Sequence, residues 1–285
     1  MKSKIASIAS LEIYLKTKDI LLWNHYYNAL REPKIREKFV VTSEEQIQQT
    51  KLKLIKAGIN VQPYTINVSG YHQFITKANY KHGSYGSNFP EKTLEHYVAA
   101  DLLGLKPSDT YIDIASGASP VPEIYHELFG CKTYRQDLSY PLGIHGGSIG
   151  GDACSIPLEN HSVDKMALHC SFEHFEGNAD IGFLKEANRL LSSGGKVCVL
   201  PIYFFSNYAA QTNPIMNLKE FDKDMTVYCV KGWYIRYSRF YDVPHFIKRI
   251  SGNLCDLNLT VYSVQNALSV NQNCYLQFAM ILEKN

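Results

Sequence analysis

Along this chain of 285 residues the spacing of apolar positions changes character twice. Residues 1 to about 105 read as mainly helical and rather polar. Ile20-Leu21-Leu22-Trp23 and Tyr26-Tyr27 give one apolar face there, and Ser43-Glu44-Glu45 starts a helix to about Ala57, with Thr42 or Ser43 as cap and Gly58 as stop. Between Tyr64 and Pro90 the helical period is lost. Tyr64, Tyr71, His72, Phe74, Tyr80, His82, Tyr85 and Phe89 are interleaved with glycine and asparagine, which predicts a loop region. The period returns from Glu91 to Leu105, with Leu94, Tyr97, Val98 and Leu102 on one face. Beyond that, short apolar runs alternate with helical stretches: strands at 111–114, 132–136, 163–169 and 196–203, helices at 120–129 and 179–191. A helix over 242–252 and strands over 257–264 and 273–282 close an α/β pattern.

The stretch from Thr110 to Val121 carries the first chemistry. Tyr111-Ile112-Asp113-Ile114 reads as a buried strand, and Ala115-Ser116-Gly117-Ala118-Ser119 as a turn without bulk, where backbone N–H groups approach a ligand closely. Ser119 is expected as N-cap and Pro120 as first helical residue, aiming a positive helix end at the turn. A strand-turn-helix with one glycine occurs in any α/β protein. More telling is Asp137, at the tip of the second strand of a β-α-β unit and 20 residues after Gly117. A carboxylate there is placed to accept hydrogen bonds from both ribose hydroxyls of a nucleoside, against the plainer reading of a surface Asp ending a strand. Five glycines follow between Gly143 and Gly151, without the Lys-Ser/Thr of an ATPase phosphate loop.

Asp113-x-Ala115-x-Gly117-x-Ser119 resembles motif I of class I S-adenosylmethionine-dependent methyltransferases, an acidic-x-Gly-x-Gly-x-Gly pattern of which the middle glycine is present. Gly151-Asp152-Ala153, followed by Ile156-Pro157-Leu158, resembles the segment whose acidic residue contacts the adenine amino group and whose next N–H contacts the ring. Leu184 to Lys196, LKEANRLLSSGGK, resembles the helix-turn-strand unit that follows motif IV in the small-molecule branch. An NAD-binding domain, the nearest rival, wants glycine where this chain has Ala115 and Pro120. The resemblance implies a Rossmann-like α/β fold, a seven-stranded sheet with helices on both faces and a reversed last strand. It implies a methyltransferase domain over 106–285 with a substrate-side insert at 204–241, after a mainly helical cap over 1–105. It implies S-adenosyl-L-methionine as cofactor, held by Asp113, Ala115, Ser116, Gly117, Asp137, Leu138, Asp152, Ala153 and His169.

No Asn-Pro-Pro-Tyr-like motif follows the fourth strand, where enzymes methylating nucleobase or glutamine amino groups would carry it. His169 and His174 are the candidate bases, each with a structural hydrogen-bonding role as the alternative. Glu173-His174 is similar to the Glu-His pair of quinone-type O-methyltransferases, but the upstream acidic position is Cys170, so no metal is expected. The insert holds Tyr208, Tyr228, Trp233, Tyr234, Arg236, Tyr237, Arg239, Phe240 and Tyr241. With Tyr64 to Phe89 it reads either as aromatic packing or as walls of an acceptor pocket, and Tyr80, Tyr85, Tyr203 and Arg236 are the expected substrate contacts.

Lys+Arg 29 against Asp+Glu 27 gives no field favouring nucleic acid or a membrane surface. Seven scattered cysteines with no C-x-x-C pair suit reduced thiols and a cytoplasmic setting. Glu12, Lys16 and Lys18 interrupt any signal-peptide core, and the longest apolar run, Val197 to Phe205, is far short of the ~20 residues of a membrane helix. The expectation is a cytoplasmic methyltransferase acting on a small molecule at a hydroxyl, its oligomeric state open and a homodimer included. A methyltransferase of RNA or protein, or a catalytically silent cofactor-binding subunit, are the alternatives.

Overall fold

The computed structural model describes residues 14, 17, 22–28, 30, 34–35, 43–216, 221–230 and 235–285. Ile20, Leu21, Thr42, Trp233 and Tyr234, invoked above, lie outside them. The chain forms two compact units: Ser43–Phe172 with Asn178–Tyr203 and Val243–Asn285, and a smaller one of Met1–Thr42, Glu173–Gly177 and Phe204–Asp242.

The larger unit is built on an eight-stranded sheet. Its strands are β1 (Asn60–Tyr64), β2 (Thr110–Ile114), β3 (Lys132–His145), β4 (Ser148–Gly150), β5 (Val163–His169), β6 (Leu191–Leu200), β7 (Leu257–Val264) and β8 (Phe278–Lys284), in spatial order β1-β7-β8-β6-β5-β2-β3-β4. The central pairs β3–β2, β2–β5 and β5–β6 are parallel, and β8 runs antiparallel to both β6 and β7. That is the expected sheet with its reversed last strand. The eighth strand is β1, added parallel to the β7 edge through Thr260↔Asn60 to Val264↔Tyr64. Pro63, which has no N–H to donate, is tolerated because β1 is an edge strand.

Central strands buried on both faces need continuous apolar runs rather than alternation, and Tyr111, Ile112, Ile114, Met166, Ala167, Leu168 and Val197 to Leu200 supply them. Six helices flank the sheet: α1 (Glu44–Lys56), α2 (Val68–Ala78), α3 (Phe89–Leu103), α4 (Val121–Phe129), α5 (Ala179–Leu190) and α6 (Val243–Arg249). One core gathers Tyr71 and Phe74 of α2, Leu94 and Val98 of α3 and Ile124 of α4 against Tyr111, Ala167, Cys198 and Ile281 of the sheet. No described helix is long and apolar enough to cross a membrane.

Three local expectations change. The aromatic stretch from Tyr64 is not a loop throughout, because α2 forms inside it. Asn67 accepts from the Gly70 N–H as N-cap, and Tyr71, Phe74 and Ala78 are its buried face. Gly70 and His72 dilute that period in the sequence. The second strand continues past Asp137 to His145, and its Leu142–His145 end lies against Ser148–Gly150, so the glycine-rich segment is a β-turn structure with its bend at Gly146-Gly147. The last strand starts at Phe278 rather than 273.

In the smaller unit, Lys34–Ile35, Thr226–Cys229, Ala209–Thr212 and Ser238–Phe240 form a four-stranded sheet in that order. Arg239 is buried between the rings of Tyr237 and Tyr241, its guanidinium carbon 5.5 and 5.9 Å from their centroids. Its Nε donates to Tyr237 Oη (2.9 Å) and its Nη2 to the Gly177 carbonyl (2.6 Å). The insert is thus a folded layer in which aromatic packing on an arginine adds to buried aliphatic residues such as Ala209, Ala210, Val227 and Val230.

Candidate active site

The turn after β2 is tied down by the end of β3. Ala115 takes φ +52°, the left-handed region where a Cβ costs roughly 1–2 kcal/mol, and Gly117 takes φ +53° at no such cost. Gln136, itself buried, offsets the strain: its side-chain oxygen accepts from Ala115 N–H (3.2 Å), its backbone carbonyl accepts from Ser116 N–H (2.9 Å), and its Nε2 donates to the Gly151 carbonyl (2.5 Å). Asp137 Oδ2 accepts from Gly117 N–H at 2.9 Å, while Oδ1 accepts from Ser139 N–H and Oγ. Tyr140 Oη donates to the Gly117 carbonyl. A Cβ on Gly117 would meet nothing within 4 Å, so the turn opens onto free space. The helix begins one residue later than expected, with Pro120 at the N-cap and Ser119 Oγ accepting from Val121 N–H.

Asp113 lies beneath the turn. It accepts from Ser116 Oγ (2.7 Å) and Tyr111 Oη (3.2 Å), and burial pushes its carboxyl up to about 6 despite those bonds. His169, at the C-terminal end of β5, has its Nε2 3.4 Å from Tyr111 Oη and 3.7 Å from Asp113 Oδ1. Burial, with the charge of Lys92 as a smaller cause, lowers its pKa to about 3, so the ring is neutral. Tyr111 donates to Asp113, which assigns the His169 proton to Nε2 and leaves Nδ1 a lone pair; Nδ1 is buried and has no hydrogen-bond partner.

These groups border a pocket of about 330 Å³, lined by Tyr85, Lys92 and His96 on one side and by Asp113 to Ser116, Ala118, Ser119, His169 and Cys170 on the other. Lys92 Nζ lies 3.1 and 3.3 Å from the two oxygens of Glu95, a fully buried carboxylate one turn along α3. Burial works to lower the Lys92 pKa, but Glu95, Cys170 and Tyr275 together hold it above its usual value. His96 is kept well below its usual pKa by burial and by its neighbours His169 and Lys92. Its ring meets His169 edge-on at 5.0 Å.

Residues 84–199 match the family model of a methyltransferase domain. The match spans the strand-turn-helix after Thr110 and the two strands that flank the pocket, so this part of the chain is similar to a methyltransferase domain. No curated protein matches the sequence. Among solved structures it is similar to the Burkholderia thailandensis 1,6-didemethyltoxoflavin-N1-methyltransferase (11% identity, 88% of this chain and 94% of that one, TM-score 0.48). It is also similar to a putative methyltransferase of Haloferax volcanii in complex with the activator Trm112 (12%, 75% and 96%, 0.47) and to geranyl diphosphate C-methyltransferase of Streptomyces coelicolor A3(2) (13%, 76% and 97%, 0.42). At such identities and scores these likenesses assign no acceptor.

In the methyltransferase domain, the residues expected around the cofactor fall into two groups. Asp113, Ala115, Ser116 and His169 line the pocket itself. Gly117 follows β2, Asp137 and Leu138 lie within β3, and Asp152 and Ala153 follow β4, none of them lining it. Leu138 is 77% exposed, and Asp152 is exposed, its Oδ1 accepting from Cys154 N–H (2.8 Å). The open space at Gly117 beside the Asp137 carboxylate forms a cradle that fits S-adenosyl-L-methionine.

Of the expected acceptor contacts, Tyr85 lines the pocket. Tyr80 stands behind it, its hydroxyl 2.8 Å from His96 Nδ1 and its ring stacked on that imidazole. Tyr203 Oη lies 3.4 Å from Cys170 Sγ. His174 and Arg236 belong to the smaller unit. There His174 Nδ1 donates to the Tyr237 carbonyl (2.6 Å), and Arg236 Nε lies 2.6 Å from Glu176 Oε1. Among the described residues no group of three His, Cys, Asp or Glu could hold a metal ion. Lys92, Glu95 and His96 went unnoticed in the sequence because α3 read as an amphipathic helix with its charges in water. The signal was there: Glu91 and Glu95 continue along one helical face into Val98, Ala99 and Leu102.

Proposed function

We propose that this domain methylates a hydroxyl oxygen of a small-molecule acceptor. The observation that carries the reading is the pocket at the C-terminal ends of β2 and β5, in which one set of walls comes from the turn and the other from α3 and Tyr85. Its volume suits part of a small molecule rather than a macromolecular strand. Asp137 accepts from the ribose hydroxyls, exchanging its bond to Gly117 N–H for those of the ligand. Asp152 takes the adenine amino group, the Ala153 N–H its ring, and Leu138 covers the ring face. The small side chains of Ala115 and Ser116 leave room beside the pocket for the methionine portion. When bound, S-adenosyl-L-methionine supplies a sulfonium methyl open to in-line displacement.

His169 Nδ1, an unpartnered lone pair, accepts a hydrogen bond from a donor group of the acceptor and orients it; with a pKa near 3 it does not hold a proton for long. Tyr85 excludes water, and Tyr80 fixes His96. Tyr203, next to Cys170, is a further acceptor contact. Seven free cysteines support a cytoplasmic setting.

The test is calorimetric titration with S-adenosylhomocysteine, followed by a screen of hydroxylated small molecules that reads release of that product. Binding with turnover of a small hydroxylated acceptor is expected. Methylation of RNA or protein with no small molecule turned over would reject the reading.

A further inference from the structure

Helix α3 buries Glu91, Glu95 and His96 among apolar side chains. Glu91 is accounted for by the chain it meets, since its Oε2 accepts from Tyr275 N–H at 2.8 Å. Glu95 is different. A fully buried carboxylate costs several kcal/mol unless paired, and Glu95 is paired with Lys92. The two charges are not placed alike. Lys92 lines the pocket and Glu95 does not, so a ligand at this end meets an ammonium whose counter-charge stands behind it.

The surroundings leave that ammonium as the positive charge of the pocket wall. His96 and His169 are neutral, Tyr85 is uncharged, Cys170 hydrogen-bonds Lys92, and Asp113 is engaged by Ser116 and Tyr111 on the turn side. The ring of Tyr275 lies 5.9 Å from Nζ and covers another side of it. Held charged by Glu95, Lys92 is no proton acceptor. A cation that gives no base catalysis, set beside two neutral imidazoles, suits an acceptor that brings its own negative charge.

We propose that Lys92 is the specificity-determining residue of the acceptor site, and that it binds the acceptor oxygen as an oxyanion, the ionised form of an acidic hydroxyl such as a phenol or enol. The inference deepens the methyltransferase reading and rests on it. A lone pair of the bound oxygen forms the new O–C bond while the S–C bond breaks and its electron pair stays on sulfur. The negative charge of the acceptor and the positive charge of the sulfonium cancel, and no proton has to leave the site. Glu95 is a positioning residue, keeping the ammonium extended along the pocket wall.

The test uses benzoate and its neutral counterpart benzamide, titrated by calorimetry into the protein saturated with S-adenosylhomocysteine. Wild type is expected to bind benzoate at least about tenfold more tightly than benzamide, the value of one charge-assisted hydrogen bond. Lys92→Arg keeps the preference. Lys92→Met alone strands a buried carboxylate and is liable to unfold, so the decisive protein is the double variant Lys92→Met/Glu95→Gln, which is expected to lose the preference while melting as a folded protein. Equal binding of the two probes by wild type, no binding of either, or a preference surviving in the double variant overturns the proposal. Failure of wild type to bind S-adenosylhomocysteine in the first step would instead overturn the reading on which the proposal stands.

Discussion

Asp137 Oδ2 accepts a hydrogen bond from the Gly117 N–H at 2.9 Å, joining the end of one strand to the turn after its neighbour. The carboxylate proposed to meet the ribose also shapes the turn. Asp137→Ala is expected to weaken S-adenosylhomocysteine binding more than about tenfold, since each hydrogen bond to a charged group contributes ~1.5–3 kcal/mol. Asp137→Asn, which keeps one acceptor, should fall between. Calorimetry giving wild-type affinity for Asp137→Ala would remove this residue from the cofactor site.

Ala115 and Gly117 share a left-handed conformation, and they should respond in opposite directions to substitution. Ala115→Gly relieves the Cβ strain and is expected to raise stability by up to about 1 kcal/mol, the gain being trimmed by the extra freedom of glycine in the unfolded chain. Gly117→Val adds the same strain to a branched side chain and fills the space reserved for the ligand, so binding should be lost in a protein that still melts cooperatively. Wild-type affinity in Gly117→Val would mean that the turn is purely structural.

His169 predicts an acid sensitivity. Its pKa falls from 6.5 to about 3 on folding, so below pH 6.5 the unfolded chain takes up a proton that the folded protein refuses, and stability is lost as pH drops toward 3. Asp113, pushed up to about 6, acts in the opposite sense between that value and 3.8, so the comparison is with a variant rather than an absolute slope. Urea unfolding of His169→Gln should show a pH dependence between 6 and 4 shallower by about 1.4 kcal/mol per pH unit. An unchanged slope would show that this imidazole is protonated in the folded protein.

Arg249 and Asp180 tie α6 to α5 through two bonds, Nε to Oδ2 (2.8 Å) and Nη2 to Oδ1 (2.7 Å), with the Asp180 side chain fully buried. Arg249→Met is expected to cost ~3–5 kcal/mol in chemical denaturation, because the carboxylate is left buried without its counter-ion. Arg249→Met/Asp180→Leu should recover most of that loss. Equal losses in the single and double variants would mean that packing, not the uncompensated charge, sets the cost.

The sequence by itself determined the alternation of strand and helix from Thr110 to Leu200, because central parallel strands must be apolar on both faces and are therefore unmistakable as short runs. It also determined the turn, since Gly117 and the small residues beside it are local requirements, and the distance from Gly117 to Asp137 is the length of one β-α-β unit. Tertiary structure alone decided that Asn60 to Tyr64 becomes an eighth strand, for its pairing partner β7 begins almost two hundred residues later. It alone divided the chain so that Glu173 to Gly177 folds with the insert. It decided the site in the same way. Lys92, Glu95 and His96 look like the solvated face of a helix until the ends of β2 and β5 are brought against them, and only then does a charge that must be paired in the interior become a charge that a ligand can use.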